Sequence, residues 1–155
     1  MEIITKNNRT LLFRELTDEN LWESKLENTS SIGSTKSNYQ FSFKNDLIKK
    51  EYIIENYDFN SYLKSFINYF IENEIKISKT TRKVIDDISN INDDEKFILN
   101  EENSFLHYVR ILDIVNYSFK VHIVTNYGYE NYIITYLLYD NGNLTITKIK
   151  RKLCY

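Results

Sequence analysis

Ser30-Ser31-Ile32-Gly33-Ser34-Thr35-Lys36-Ser37 ends in the Lys-Ser pair that closes a phosphate-binding loop. Such a loop needs glycines in the pattern G-x-x-x-x-G-K-[ST], so that backbone amides can curl around phosphate at a helix N-terminus. Ser30 and Thr35 stand in the glycine places, and strand-like alternation follows, so a polar loop is expected here. Residues 87–98, DISNINDDEKFI, have the length of a calcium loop. They carry Asn92 where its turn requires glycine and Ile98 where it requires a bidentate Glu, which leaves an acidic connector. His107 and His122 have no Cys or second His at ligand spacing, so no metal site is expected. Either could act as a general acid or base only if the fold brings Glu101, Asp113 or a serine to it. The single cysteine, Cys154, can close no internal disulfide, and without a G-x-S-x-G segment no nucleophilic triad has a candidate. No cofactor is expected.

Recognition chemistry has better candidates. Among 13 tyrosines, Tyr127, Tyr129, Tyr132, Tyr136 and Tyr139 lie close together, three of them in the turn-like NYGYENY. Tyrosine buries apolar area and keeps a polar tip, which suits it to interfaces. Tyr136 and Tyr139 read as sheet residues. The expected partner-binding residues are therefore Tyr127, Tyr129 and Tyr132, with Asp93, Asp94 and Glu95 of the acidic connector steering the encounter.

Composition bounds what such residues can serve. The 155 residues suit one domain, and 42% hydrophobic with 27% charged residues is ordinary globular usage, so the abundant Asn and Lys do not imply disorder. There is no Ala or Pro, and Gly stands only at 33, 128 and 142. With frequent Ile, Asn, Lys, Tyr and Phe, this points to an AT-rich genome. Part of the tyrosine count then reflects coding bias. A net charge of -2 gives little support to a general nucleic-acid-binding surface driven by excess basic charge, and local patches can differ: Lys148, Lys150, Arg151 and Lys152 make the C-terminal end basic. The opening MEIITKNNRTLLF has no basic start with a long apolar run, and no apolar stretch approaches the roughly 18 residues of a membrane span. A cytoplasmic protein that binds no membrane is expected.

The elements that must position these residues are read from periodicity. Ile3 to Thr5 and Leu11 to Leu16 bracket Lys6-Asn7-Asn8-Arg9 as a hairpin does. Residues 17–38, mostly polar, are expected to form a flexible loop, with at most a short helix around Leu21, Trp22 and Leu26. Tyr39, Phe41 and Phe43 alternate with polar residues as one side of a strand, and a returning strand is expected over 47–55 after a turn at 44–46. Phe59, Tyr62, Leu63, Phe66, Ile67, Phe70 and Ile71 form one apolar helical stripe, with Asp58 as its cap. A weaker helix is expected over 80–89. Residues 97–99 and 105–112 read as a hairpin, with a helix over 95–110 as the alternative. Val115 to Ile123 alternate as a strand, 132–139 as an interior strand, and Asp140-Asn141-Gly142-Asn143 as a tight turn into a strand over 144–149. This order implies one α+β domain over 1–155, a mainly antiparallel meander with the helices packed on one sheet face.

The layout of strands, then DFNSYLKSFINYF as the strong helix, then a meander resembles small cytoplasmic immunity proteins of bacterial polymorphic toxin systems over residues 39–147. In some such families a helix follows the last strand, whereas here the last element read is the strand over 144–149. The resemblance implies a non-enzymatic inhibitor that covers the working surface of a toxin, nuclease or defence effector. Phage-encoded inhibitors of host defence share the size and the acidity. The expected partner is a protein, a basic nuclease or toxin being one that the acidic connector would complement. The alternative is a small enzyme or ligand-binding module with an apolar pocket between sheet and helix, lined by His107 or His122 and tyrosines.

Overall fold

Strand follows strand in the sheet in the order of the sequence, β1-β2-β3-β4-β5-β6-β7-β8. The computed structural model describes residues 1–24, 39–49, 57–89, 104–127, 131–141 and 143–153. Within them lie β1 (Glu2–Ile4), β2 (Thr10–Leu16), a 3-10 turn (Thr17–Glu19), β3 (Leu21–Ser24), β4 (Gln40–Lys44), α1 (Asn45–Lys49), α2 (Phe59–Glu72), α3 (Glu74–Ser89), β5 (Ser104–Asp113), β6 (Ser118–Tyr127), β7 (Asn131–Asp140) and β8 (Asn143–Leu153). Neighbouring strands are antiparallel except β4 and β5, which run parallel. A parallel pair needs a crossover, and the chain between β4 and β5 is where all three helices lie. The molecule is an α+β fold with a mostly antiparallel sheet, as its periodicities imply.

One face of the sheet makes the core. Tyr39, Phe41 and Phe43 are buried as their alternation requires, alongside Val109, Ile111, Phe119, Val121, Leu137 and Tyr139 of the later strands. Onto this face α2 lays its apolar stripe: Leu63, Phe66, Ile67 and Phe70 are each 0% exposed. Phe70 meets Phe41 and Phe119 edge to face at 5.2 and 5.4 Å between ring centroids. The helix begins where the sequence expects, with the Asp58 carboxylate accepting from the Asn60 amide at 3.1 Å and from the Ser61 hydroxyl at 2.8 Å. Asn73 ends it, and α3 starts at the next residue.

Element boundaries differ from the sequence reading in several places, β8 running on to Leu153 among them. Residues 45–49 form α1 instead of opening a returning strand, because the chain must leave β4 for a crossover. Asp46 in its first turn and Lys49 in its last suit the helix dipole, and Leu47 enters the core. The start of the segment read as a loop over 17–38 forms the 3-10 turn and β3, with Trp22 paired between Glu15 and Phe43 and stacked on the latter ring at 6.2 Å. The second helix starts at Glu74, not at residue 80: its buried line runs through Ile77 and Thr81, and a polar residue at the second position hides the period. Thr81 is accommodated there by donating to the Ile77 carbonyl at 2.7 Å. The alternation from Val115 crosses a turn before β6 begins at Ser118, because Asp113 Oδ1 captures the amides of Val115 and Asn116 at 2.9 and 3.0 Å. The helical alternative for 95–110 fails from residue 104 onward, where β5 is paired on both sides, and residues 97–99 lie outside the described residues.

Candidate functional site

The second face of the sheet carries no described helix. The ring contacts and hydrogen bonds that join α2 and α3 to the strands reach the core face: Phe66 and Phe70 to Phe119, and Ile77 and Thr81 to Tyr139. Successive residues of a strand alternate between faces, so the residues between the core positions line this second surface. Register assembles them into rows. Arg14, Glu23, Ser42, Arg110, Lys120, Leu138 and Thr145 form one row across seven strands, and Gln40, Tyr108, His122, Tyr136 and Lys148 form the next.

At the centre the two rows are tied into one cluster. Arg110 donates through Nε to Ser42 Oγ at 2.8 Å and through Nη2 to the Tyr108 hydroxyl at 3.1 Å, and its guanidinium lies over the Tyr108 ring at 5.4 Å. Ser42 beneath it is 0% exposed and reaches the Val109 carbonyl at 3.5 Å. Tyr108 packs on His122 at 5.0 Å, and His122 meets Tyr136 at 4.2 Å with ring planes 77° apart. These rings and Arg110 are half-buried, held by one another on rigid strands. Beyond Ser42 the row continues into the Arg14 to Glu23 ion pair at 3.2 Å, and on β1 and β2 of the same face Ile4 and Leu12 are 49% and 50% exposed.

The groups of this cluster carry charge, hydrogen bonds and aromatic faces. Ser42 accepts from the Arg110 guanidinium, a donor with no acceptor site, which offers the hydroxyl no base. His122 is packed between two tyrosine rings on the face away from the helices, not in a pocket between sheet and helix. His107 stands at the irregularity between Leu106 and Tyr108 where β5 slips against β6. Among the described residues no three His, Cys, Asp or Glu side chains gather as a metal would need. No helix is long and apolar enough to cross a membrane. Among the described residues, three tyrosines with displaced acidity lie on the core side. Burial first, and then the Glu74 carboxylate, pushes Tyr39 well above its usual range, and burial raises Tyr139 and Tyr57.

Of the residues singled out from sequence, Tyr127 ends β6 and Tyr132 lies near the start of β7. Register pairs Tyr127 with Asn131 and Tyr132 with Asn126. The two tyrosines thus stand in successive rows, which belong to opposite faces of a pleated sheet, and do not form one patch. Tyr129, Asp93, Asp94, Glu95, the SSIGSTKS segment and Cys154 lie outside the described residues. What the sequence reading passed over is the Ser42, Tyr108, Arg110 and Tyr136 cluster. Its signal was the parity of single polar or tyrosine residues inside FSF, YVRI and YLLY, but their joining depends on the parallel β4 to β5 pairing. No family model matches the chain, and neither a curated protein nor a solved structure was found to match it.

Proposed function

We propose that this chain is a non-enzymatic binding protein of the immunity or anti-defence type, which neutralises a toxin, nuclease or defence effector by covering its working surface. The observation that carries this reading is the sheet face on which no described helix lies. It presents Arg110, Tyr108 and Tyr136, residue types that dominate interface energetics, and continues to the exposed apolar pair Ile4 and Leu12. Rigid strands hold these groups in place before any encounter, which lowers the ordering cost of binding. In this reading Tyr132, in a row of the same face, adds to the contact, Tyr127 and Tyr129 are further candidate anchors, and Asp93, Asp94 and Glu95 raise the rate of encounter with a basic partner.

The test begins with copurification from the native host and identification of the retained protein. Its binding to the pure chain is then followed by surface plasmon resonance. Leu12→Asp and Tyr108→Ala should speed dissociation, and reversing Asp93, Asp94 and Glu95 should slow association and weaken its salt dependence. The partner's own activity should fall when the complex forms. Equal binding by all the folded variants, or a bound partner that keeps full activity, would refute the reading.

A further inference from the structure

The chain as a whole is acidic, with a net charge of -2, but its charges are segregated. Across β5 to β8, the helix-free rows that begin at Arg110 and at Tyr108 are followed by rows through Val124 and Ile134 to Lys150, and through Asn126 and Tyr132 to Lys152. These four rows hold the five cations Arg110, Lys120, Lys148, Lys150 and Lys152 and no Asp or Glu. Among the described residues of β5 to β8, carboxylates stand at the far end, where Ser118 donates to Asp140 at 2.7 Å and Asp113 closes its turn.

We propose that this part of the sheet is a binding site for single-stranded nucleic acid, read by charge and stacking and not by sequence. Lys148, Lys150 and Lys152 recur at every second residue of β8, about 6.6 Å apart along the backbone, and so form a line on one face of that border. Beside that line register places Tyr136, Ile134 and Tyr132 of β7, and the packed rings of Tyr136, His122 and Tyr108 lead across to Arg110 and Lys120. Backbone phosphates want the cations, and unstacked bases want the rings and the guanidinium plane, a combination that tolerates any sequence. A duplex keeps its bases stacked inside and could use only the charges. A carboxylate-rich protein surface would likewise use only the charges. This goes beyond the inhibitor reading, which needs a protein partner where this site needs none, so either can fail while the other stands.

Fluorescence anisotropy with a labelled oligothymidylate about 15 nucleotides long tests the site, against a duplex of equal length and against polyglutamate. The expected result is saturable binding of the single strand at low salt, at least about tenfold tighter than of either control. Arg110→Gln and Lys120→Gln should each flatten the dependence of log affinity on log salt by roughly 0.7. Tyr136→Ala should weaken binding and leave that slope unchanged, since stacking releases no counterion. Thermal melting confirms that each variant is folded. No binding of the single strand at low salt overturns the site, as does binding of the duplex or of polyglutamate as tight as that of the single strand, which would mean charge alone. Loss of affinity only in variants that have unfolded, with folded ones binding like the parent, also overturns it.

Discussion

Tyr139 joins the sheet to α3 through a single hydroxyl. It donates to the Ile77 carbonyl at 3.1 Å beside the Thr81 hydroxyl, while its ring stacks on Phe119 at 4.6 Å. Tyr139→Phe keeps the ring and deletes the hydroxyl. Thr81 still has the Ile77 carbonyl at 2.7 Å, so the expected cost is only about 1 kcal/mol by denaturant unfolding. Tyr39 predicts a pH effect. Its phenol is raised by burial and then by Glu74, whose Oε2 it approaches at 3.3 Å, so the folded state keeps the proton after an unfolded tyrosine has lost it near pH ~10. Between those two pKa values the unfolded state binds fewer protons, and stability must fall as pH rises. The contribution is fully present below about pH 10 and lost above it. Unfolding curves at rising alkaline pH should show this decline, and Tyr39→Phe should flatten it. An identical decline in parent and variant would assign the effect to other groups.

At the scale of the element, α2 is the fastening of the fold. Phe66 and Phe70 are fully buried, and each touches Phe119. Replacing either with Ala deletes those ring contacts and leaves a cavity, for an expected loss of roughly 3–5 kcal/mol. Unfolding midpoints that move by less than about 1 kcal/mol in both variants would mean that the stripe is not core. Asp58→Ala exposes the first-turn amides and should cost about 1 kcal/mol, with Asp58→Asn or Ser restoring most of it. The stripe and the cap were both legible in the sequence because a helix repeats at 3.6 residues within a single segment. The line of α3 was not, because its second buried position is Thr81, tolerated through a hydrogen bond to its own helix that composition does not display.

At the scale of the whole molecule, the parallel β4 to β5 pair decides the arrangement. It places Gln40 opposite Tyr108 and Ser42 opposite Arg110, and so brings together residues 68 positions apart that a meander alone would have kept separate. Arg110→Leu should leave Ser42 without its charged donor, lower stability modestly and weaken whatever docks on that face, which melting and binding assays can separate. Because no phosphate loop, calcium loop or zinc spacing survives inspection of the sequence, magnesium, chelators and ATP are expected to leave the melting temperature unchanged. Ligands of the folded state raise it by mass action, so a reproducible shift would overturn that expectation.

What the sequence determined by itself was local. Alternation in YQFSFK, the turn residues Asn141 and Gly142, and the apolar stripe from Phe59 each report the period of one element, and each element stands where its period put it. Tertiary structure alone decided which strands became neighbours, that residues 45–49 should turn as a helix into a crossover, and that Asp113 should hold a turn inside an alternating run. It also decided the candidate site. Tyr127 and Tyr132 are close in sequence but fall in rows of opposite faces, whereas Ser42, Tyr108, Arg110, His122 and Tyr136 come from four strands and meet. The physical reason is that periodicity specifies which side of an element is apolar, while strand pairing is set by backbone hydrogen bonds between segments distant in the chain, and residue order carries no local mark of them.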